Sequence, residues 1–442
     1  MVHAVNQPQP LPIGLWALPL ALGLAACGGE VRQPGTTADS GIHQDAGAGD
    51  DAATGDDAAA GDDAGNGGDS GQETDSGTAT DGGTLDAGSP DSGTVPTGPI
   101  MAPDETWTWV DFPEAKCING SPTGIGVNIK PGSTKLMIFL MGGNACFNQA
   151  SCFVTANLNG YGEAEFNQEL SMVQGTFILD RNQNANIFKD YSFVYVPYCT
   201  GDVHAGSQPN GSVAGSSYSF TGYDNITAYL DRLVPTFSNV TDVVLSGVSA
   251  GGFGAMLNFQ HVQSAFGDDV RVTLVDDSGP PMGGAYIAPC LQAHFRDTWG
   301  YDTGLLADCA ECLATPDRSF IEPFFDQLMT LYADRNFAVI SSDGDEVIRG
   351  FWGFGQNSCR NINDIFPPAY PPATYRAGLE DFRDNIAMGL SNVGLYLKTG
   401  STRHVWLNSD PRTIDQDGVT LSDWLNQAIS DDPAWGHVPA GN

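Results

Sequence analysis

The stretch Gly247-Val248-Ser249-Ala250-Gly251 places a serine between two glycines. A serine hydroxyl attacks a carbonyl only when a base takes its proton and an acid orients that base. G-x-S-x-G is the spacing of a nucleophile elbow, a strand-to-helix turn so tight that only small residues fit around the serine. Glycine accounts for 55 of the 442 residues, so the bare pattern arises readily by chance and its context must decide. That context fits: apolar "VVLSG" precedes the serine and helix-like "GFGAMLNFQHV" follows it.

In hydrolases built around such an elbow the chain order is serine, acid, histidine. Four histidines lie downstream of Ser249: His261, His294, His404 and His437. His261 belongs to the helix after the elbow, His294 to a stretch that reads as an insertion, and His437 to the C-terminal end. His404 follows the last apolar run in the loop "KTGSTRHVW", where the fold places the base. The acid belongs after the preceding strand, and "FAVISSDGDEV" offers Asp343, Asp345 and Glu346 there. Asp345 stands two residues before Val347 and is the first candidate, with Asp343 the next. Asp276 and Asp277 close an earlier strand and are expected to shape the pocket floor. An oxyanion needs N–H donors already aimed at it. Ala250, just after the serine, offers one. Gly143 and Asn144, in the glycine turn after "LMIFLM", offer the others.

These residues need a frame. Six short apolar runs read as buried parallel strands: Leu136–Met141, Phe193–Tyr198, Val243–Leu245, Val272–Val275, Phe337–Ile340 and Val393–Leu397. Between them lie amphipathic helical patterns. "DNITAYLDRLVPTF", with Asp224 as its cap, puts Ile226, Tyr229, Leu230 and Leu233 on one face. "SFIEPFFDQLMTLYADR" and "TYRAGLEDFRDNIAM" read similarly. The alternation predicts an α/β fold of the α/β-hydrolase type, a mainly parallel central sheet flanked by helices. The elbow serine would then stand at the carboxyl end of a central strand, where such sheets place their sites.

The N-terminal quarter is different. "LPIGLWALPLALGLAAC" carries a short apolar run ending in small residues, as a signal peptide does. Leu24-Ala25-Ala26-Cys27 has the form of a lipobox, with Cys27 as the lipidated residue, although no Lys or Arg precedes the apolar run. Residues 1–27 are therefore expected to be a lipoprotein signal. Residues 28–98 form an acidic Asp/Gly/Ala-rich linker that cannot bury enough apolar surface to offset its ordering entropy, so it is expected to be a disordered tether. Residues 99–442 form the catalytic domain.

Glu30 to Asp91 holds fifteen acidic residues against one base, Arg32, and so carries 14 of the chain's 35 net negative charges; the rest keeps −21. The chain lacks the basic footprint of a nucleic-acid binder. Eight cysteines remain beside Cys27, an even number that suggests disulfides in an exported chain. Cys146 and Cys152 could close a small loop. "CAEC", Cys309 to Cys312, has no second C-x-x-C and no histidine nearby, so these two are expected to pair with Cys290 and Cys359 rather than to hold zinc.

Five blocks occur in order: "CINGSPTG" (Cys117–Gly124), "FLMGGNACFNQASC" (Phe139–Cys152), "VPYCTGDVHAGS" (Val196–Ser207), "GVSAGGFGAM" (Gly247–Met256) and "DDSGPPM" (Asp276–Met282). Together they resemble the pectin acetylesterase family of Notum-like serine carboxylesterases, over most of Cys117 to His404. The resemblance implies an α/β-hydrolase-like fold and a metal-free, cofactor-free removal of acyl groups. It implies a triad at Ser249, Asp345 and His404, oxyanion donors at Gly143, Asn144 and Ala250, and disulfides Cys117–Cys199 and Cys146–Cys152. Members of that family often carry Trp after the Gly-Gly pair. Asn144 stands there in this chain and is expected to make that wall of the acyl pocket smaller and polar.

The sequence thus predicts an exported, monomeric serine carboxylesterase, held at the outer membrane or cell surface by a lipid anchor. Its expected substrates are O-acyl esters, foremost O-acetyl groups on a polysaccharide, or a small acyl ester. Two alternatives stand beside it: a deacylase of longer or lipid-like acyl chains, and a surface-binding protein that keeps the fold without the catalysis.

Overall fold

The structure of the chain is a computed structural model that describes residues 98–441. Cys27, the expected signal and nearly all of the expected linker lie outside the described residues.

The main sheet has eight strands: β1 (Thr108–Lys116), β2 (Pro122–Asn128), β3 (Lys135–Leu140), β4 (Ser192–Val196), β5 (Asp242–Val248), β6 (Arg271–Asp277), β7 (Phe337–Ser342) and β8 (Val393–Lys398). Their spatial order is β1-β2-β4-β3-β5-β6-β7-β8. All pairings from β4 through β3 to β8 are parallel. These six are the strands expected from the apolar runs, with ends that differ by at most three residues. β1 and β2 were not anticipated, and they add an antiparallel edge beyond β4.

Side chains alternate between the two faces of each strand. Leu136, Ile138, Leu140, Val243 and Leu245 enter one core cluster, which includes Ile226 and Leu230 of helix Gly222–Thr236 and Phe324 and Leu328 of helix Ile321–Leu331. Met137, Phe139 and Val244 enter the other, with Phe166 of helix Glu163–Gly175 and Trp424 of helix Leu421–Ser430. A run of consecutive apolar residues is what a strand buried on both faces requires. In helix Gly222–Thr236 the cap position is taken by Thr221, and Asp224, expected at the cap, sits three positions further on in the first turn.

Four disulfides are present: Cys117–Cys199, Cys146–Cys152, Cys290–Cys359 and Cys309–Cys312. The last two correct the expectation that the "CAEC" cysteines bridge to Cys290 and Cys359. Cys309 caps the short helix Ala310–Ala314, whose first turn brings Cys312 back to it, so the local turn favours the near partner. Among the described residues no cluster suited to a metal ion occurs, and no helix is long and apolar enough to cross a membrane.

Candidate active site

β5 ends at Val248, and the helix Ala250–Leu257 starts two residues later. Ser249 fills the joint at φ +58°, ψ −121°, a left-handed conformation that a non-glycine residue adopts only when its surroundings force it. The flanking glycines show what forces it. A Cβ on Gly247 would lie 2.0 Å from the Gly251 carbonyl oxygen, and one on Gly251 would lie 2.0 Å from that of Leu140. Only glycine lets β5, β3 and the helix approach this closely.

His404 lies beyond β8 in the loop that follows it. Its Nδ1 is 2.8 Å from Asp345 Oδ2. Asp345 is fully buried and caps helix Glu346–Gly353: its Oδ1 accepts the N–H groups of Val347 (2.9 Å) and Ile348 (3.0 Å). That cap fixes one carboxylate oxygen and aims the other at the imidazole, which accounts for the D-x-V spacing. The far ring nitrogen, His404 Nε2, is buried and makes no hydrogen bond within the protein. Asp343 does different work. Its carboxylate accepts the N–H groups of Gly400 (3.0 Å) and Ser401 (3.2 Å) and pairs with Arg376 at 3.2 Å, so it ties down the start of the His404 loop without touching the ring.

The glycine turn after β3 lies against the elbow. A Cβ on Gly142 would stand 2.9 Å from Ser249 Cβ. Among the described residues the N–H groups of Gly143, Asn144 and Ala250 donate to no protein acceptor. Asn144 adopts φ +67° and donates its side-chain amide to the Val154 carbonyl at 2.8 Å.

Ser249, Ala250 and Asn144 open onto a pocket of about 60 Å³. Its walls include Phe253, Met256, Phe295, Ile348, Phe351 and Trp352. Asn144 does border the pocket. It does not set the pocket's polarity, because its amide is engaged with the Val154 carbonyl and the remaining lining, apart from Ser249 and Tyr301, is apolar.

Asp276 and Asp277 are fully buried behind the elbow and do not line the pocket, which corrects the expectation that they form its floor. Burial pushes both carboxyls up, Asp277 to about 6 and Asp276 well above the usual range. The other histidines stand apart from the site. His294 Nε2 lies 2.7 Å from the Phe147 carbonyl, His437 Nδ1 accepts the Leu395 N–H, and the His261 ring stacks on Tyr223. His204, upstream of the elbow, matches no position in the serine, acid, histidine order, yet it lies within hydrogen-bond reach of Met141, just before the glycine turn.

A parallel sheet with a serine elbow after its central strand defines the α/β-hydrolase class. Residues 106–303 match the pectinacetylesterase family model. The chain is 31% identical over 169 residues to palmitoleoyl-protein carboxylesterase notum2 of Xenopus laevis, covering 37% of this chain and 34% of that protein. It is 27% identical over 168 residues to pectin acetylesterase 5 of Arabidopsis thaliana, covering 37% and 39%. The match thus spans little more than a third of the length of these relatives. The crystal structure of the Wnt deacylase Notum from Drosophila superposes with a TM-score of 0.53 at 18% identity, over 77% of this chain and 97% of that one, a likeness of fold.

Proposed function

We propose that this chain is a serine carboxylesterase with Ser249, His404 and Asp345 as its triad. The observation that carries the proposal is the Asp345–His404 pair at 2.8 Å, with the ring's other nitrogen unpaired, in a chain whose elbow serine is held at φ +58°. Ser249 Oγ attacks the acyl carbonyl while His404 Nε2 takes its proton. Asp345 keeps Nδ1 protonated and steadies the imidazolium that forms. The N–H groups of Gly143, Asn144 and Ala250 receive the developing oxyanion. His404 then protonates the leaving alcohol, and a water activated by the same ring releases the acid. Labelling by a fluorophosphonate probe that disappears in Ser249→Ala tests this directly. A wild-type chain that neither labels nor hydrolyses esters would return the fold to the surface-binding reading.

The substrate we propose is a short O-acyl ester, foremost an acetyl group on a polysaccharide. Size supports this. A cavity of about 150 Å³ is known to hold benzene, whereas this pocket measures about 60 Å³. A long chain must displace wall residues to enter. The second reading, a deacylase of longer chains, has the apolar lining in its favour, since each buried methylene contributes about 0.8 kcal/mol.

Four disulfides support an exported protein, because such bonds persist in oxidising compartments. Anchoring to the outer membrane through Cys27 and a monomeric state belong to the same proposal.

A further inference from the structure

The block "VPYCTGDVHAGS" contributes no triad residue, yet His204 within it is 3% exposed and held in an unusual backbone. Val203 and His204 lie at φ +52° and +59°, two consecutive non-glycine residues in the left-handed region. Three contacts keep them there. The Val203 N–H donates to the Tyr198 hydroxyl at 3.0 Å, Asn258 Nδ2 donates to the His204 carbonyl at 2.9 Å, and the Tyr198 ring lies 4.8 Å from the imidazole. Gly254, in the helix behind Ser249, leaves the space: a Cβ there would stand 2.9 Å from His204 Cβ and 3.1 Å from ring Cδ2. The outcome is His204 Nε2 at 2.8 Å from the Met141 carbonyl. Burial holds the imidazole down at about 4, so the ring is neutral near pH 7. A neutral nitrogen facing a carbonyl is the one that carries the hydrogen, so Nε2–H donates.

Met141 is the last residue before Gly142-Gly143-Asn144. Its N–H donates to the Val196 carbonyl at 3.0 Å, and the next N–H of the loop to find a main-chain acceptor is that of Cys146. A trans peptide is planar, with its C=O and N–H pointing opposite ways. Holding the Met141 oxygen therefore fixes where the Gly142 N–H points and sets the plane from which the Gly143 and Asn144 amides continue. We propose that His204 is a positioning residue for the oxyanion loop, acting on the transition state through Met141 without touching substrate. This inference rests on the esterase reading above.

The test compares His204→Leu, which removes the donor, with His204→Gln, whose amide nitrogen reaches to a similar depth. Both are made in the full chain and counted by exhaustive fluorophosphonate labelling. Losing one oxyanion donor costs about 10²–10³ in kcat. For His204→Leu the expected result is a fall in kcat per labelled site approaching that range, with KM within about threefold and an unchanged pH profile. His204→Gln is expected to recover at least about tenfold of the loss. Equal damage in the two variants, or a kcat per labelled site in His204→Leu within about threefold of wild type, overturns the inference. Should His204→Leu fail to fold, His204→Gln decides alone: kcat within about tenfold of wild type at unchanged KM supports the role, and a loss of about 10² or more overturns it. An inert, unlabelled wild type overturns the esterase reading itself and is thereby distinguished from failure of this inference alone.

Discussion

Asp277 joins Ser249 to the loop that carries His404. Its main-chain carbonyl accepts the Ser249 N–H at 2.8 Å, while its carboxylate Oδ2 accepts the N–H groups of Trp406 at 2.6 Å and Leu407 at 2.8 Å. Its neighbour Ser278 donates to the His404 carbonyl. The end of β6 thus sets where Ser249 and the His404 loop stand relative to each other.

That burial has a consequence for stability. Asp277 is raised from 3.8 to about 6, so between these values the folded chain binds a proton that the unfolded chain releases. Its contribution falls as pH rises through this window. Relative to Asp277→Asn, wild type should gain stability as pH drops from about 7 to 4, by at most about 3 kcal/mol at 1.36 kcal/mol per unit. Urea melts of both proteins at several pH values measure the difference. A gap that stays constant with pH removes the claim.

Ser249→Ala should lower kcat by roughly 10³-fold or more, because triad members act as a unit. The melting temperature should hold or rise, since alanine removes a hydroxyl and leaves the turn's glycines in place. Activity above a tenth of wild type would show that the nucleophile lies elsewhere.

The two aspartates should separate by what they change. Asp345→Asn should cost on the order of 10²–10⁴ in kcat by misorienting His404. Asp343→Asn should spare more of kcat but lower the melting temperature, because it weakens the ties to Gly400, Ser401 and Arg376. Steady-state kinetics and thermal melts on both variants decide this. The reverse ranking in kcat would move the acid to Asp343.

The sheet core was legible because strands buried on both faces must be continuously apolar, and the six parallel strands are. β1, "TWVDFPEAK", interrupts its apolar residues with Asp111, Pro113 and Glu114 at a half-exposed edge, so no period marks it. β2, "PTGIGVN", carries Gly124 and Gly126, which read as a turn. Gly124 is there because a Cβ would lie 2.0 Å from the Val110 carbonyl oxygen. At the site, Asp345 was readable from its spacing to Val347, because a helix cap is a local device. The roles of Asp277 and His204 were not readable. Each acts through main-chain groups 28 to 130 residues away, which sequence spacing does not encode.

The anchor can be tested without the fold. Cys27→Ser should move the protein from the membrane fraction to the soluble one. A wild type that is already fully soluble would end the lipoprotein claim. Deleting residues 33–98 should leave kcat/KM on a small ester unchanged, because that composition offers nothing to pack on the site.

The acyl preference follows from two opposed properties of the pocket. Apolar walls reward each added methylene by about 0.8 kcal/mol, a gain of about fourfold per carbon while space lasts. A cavity of about 60 Å³ ends that gain early, since further carbons must push apart wall rings such as Phe351 and Trp352. On p-nitrophenyl esters from acetate to decanoate, kcat/KM should peak at a short chain, acetate to butyrate, and fall toward decanoate. Asn144→Trp should depress the longer members further, because an indole beside Ser249 takes up room. It should also release the Val154 carbonyl from the Asn144 amide. The pH dependence of kcat/KM should stay as it is. An optimum at octanoate or beyond would mean that the walls part on binding, and the longer-chain reading would then replace the acetyl one.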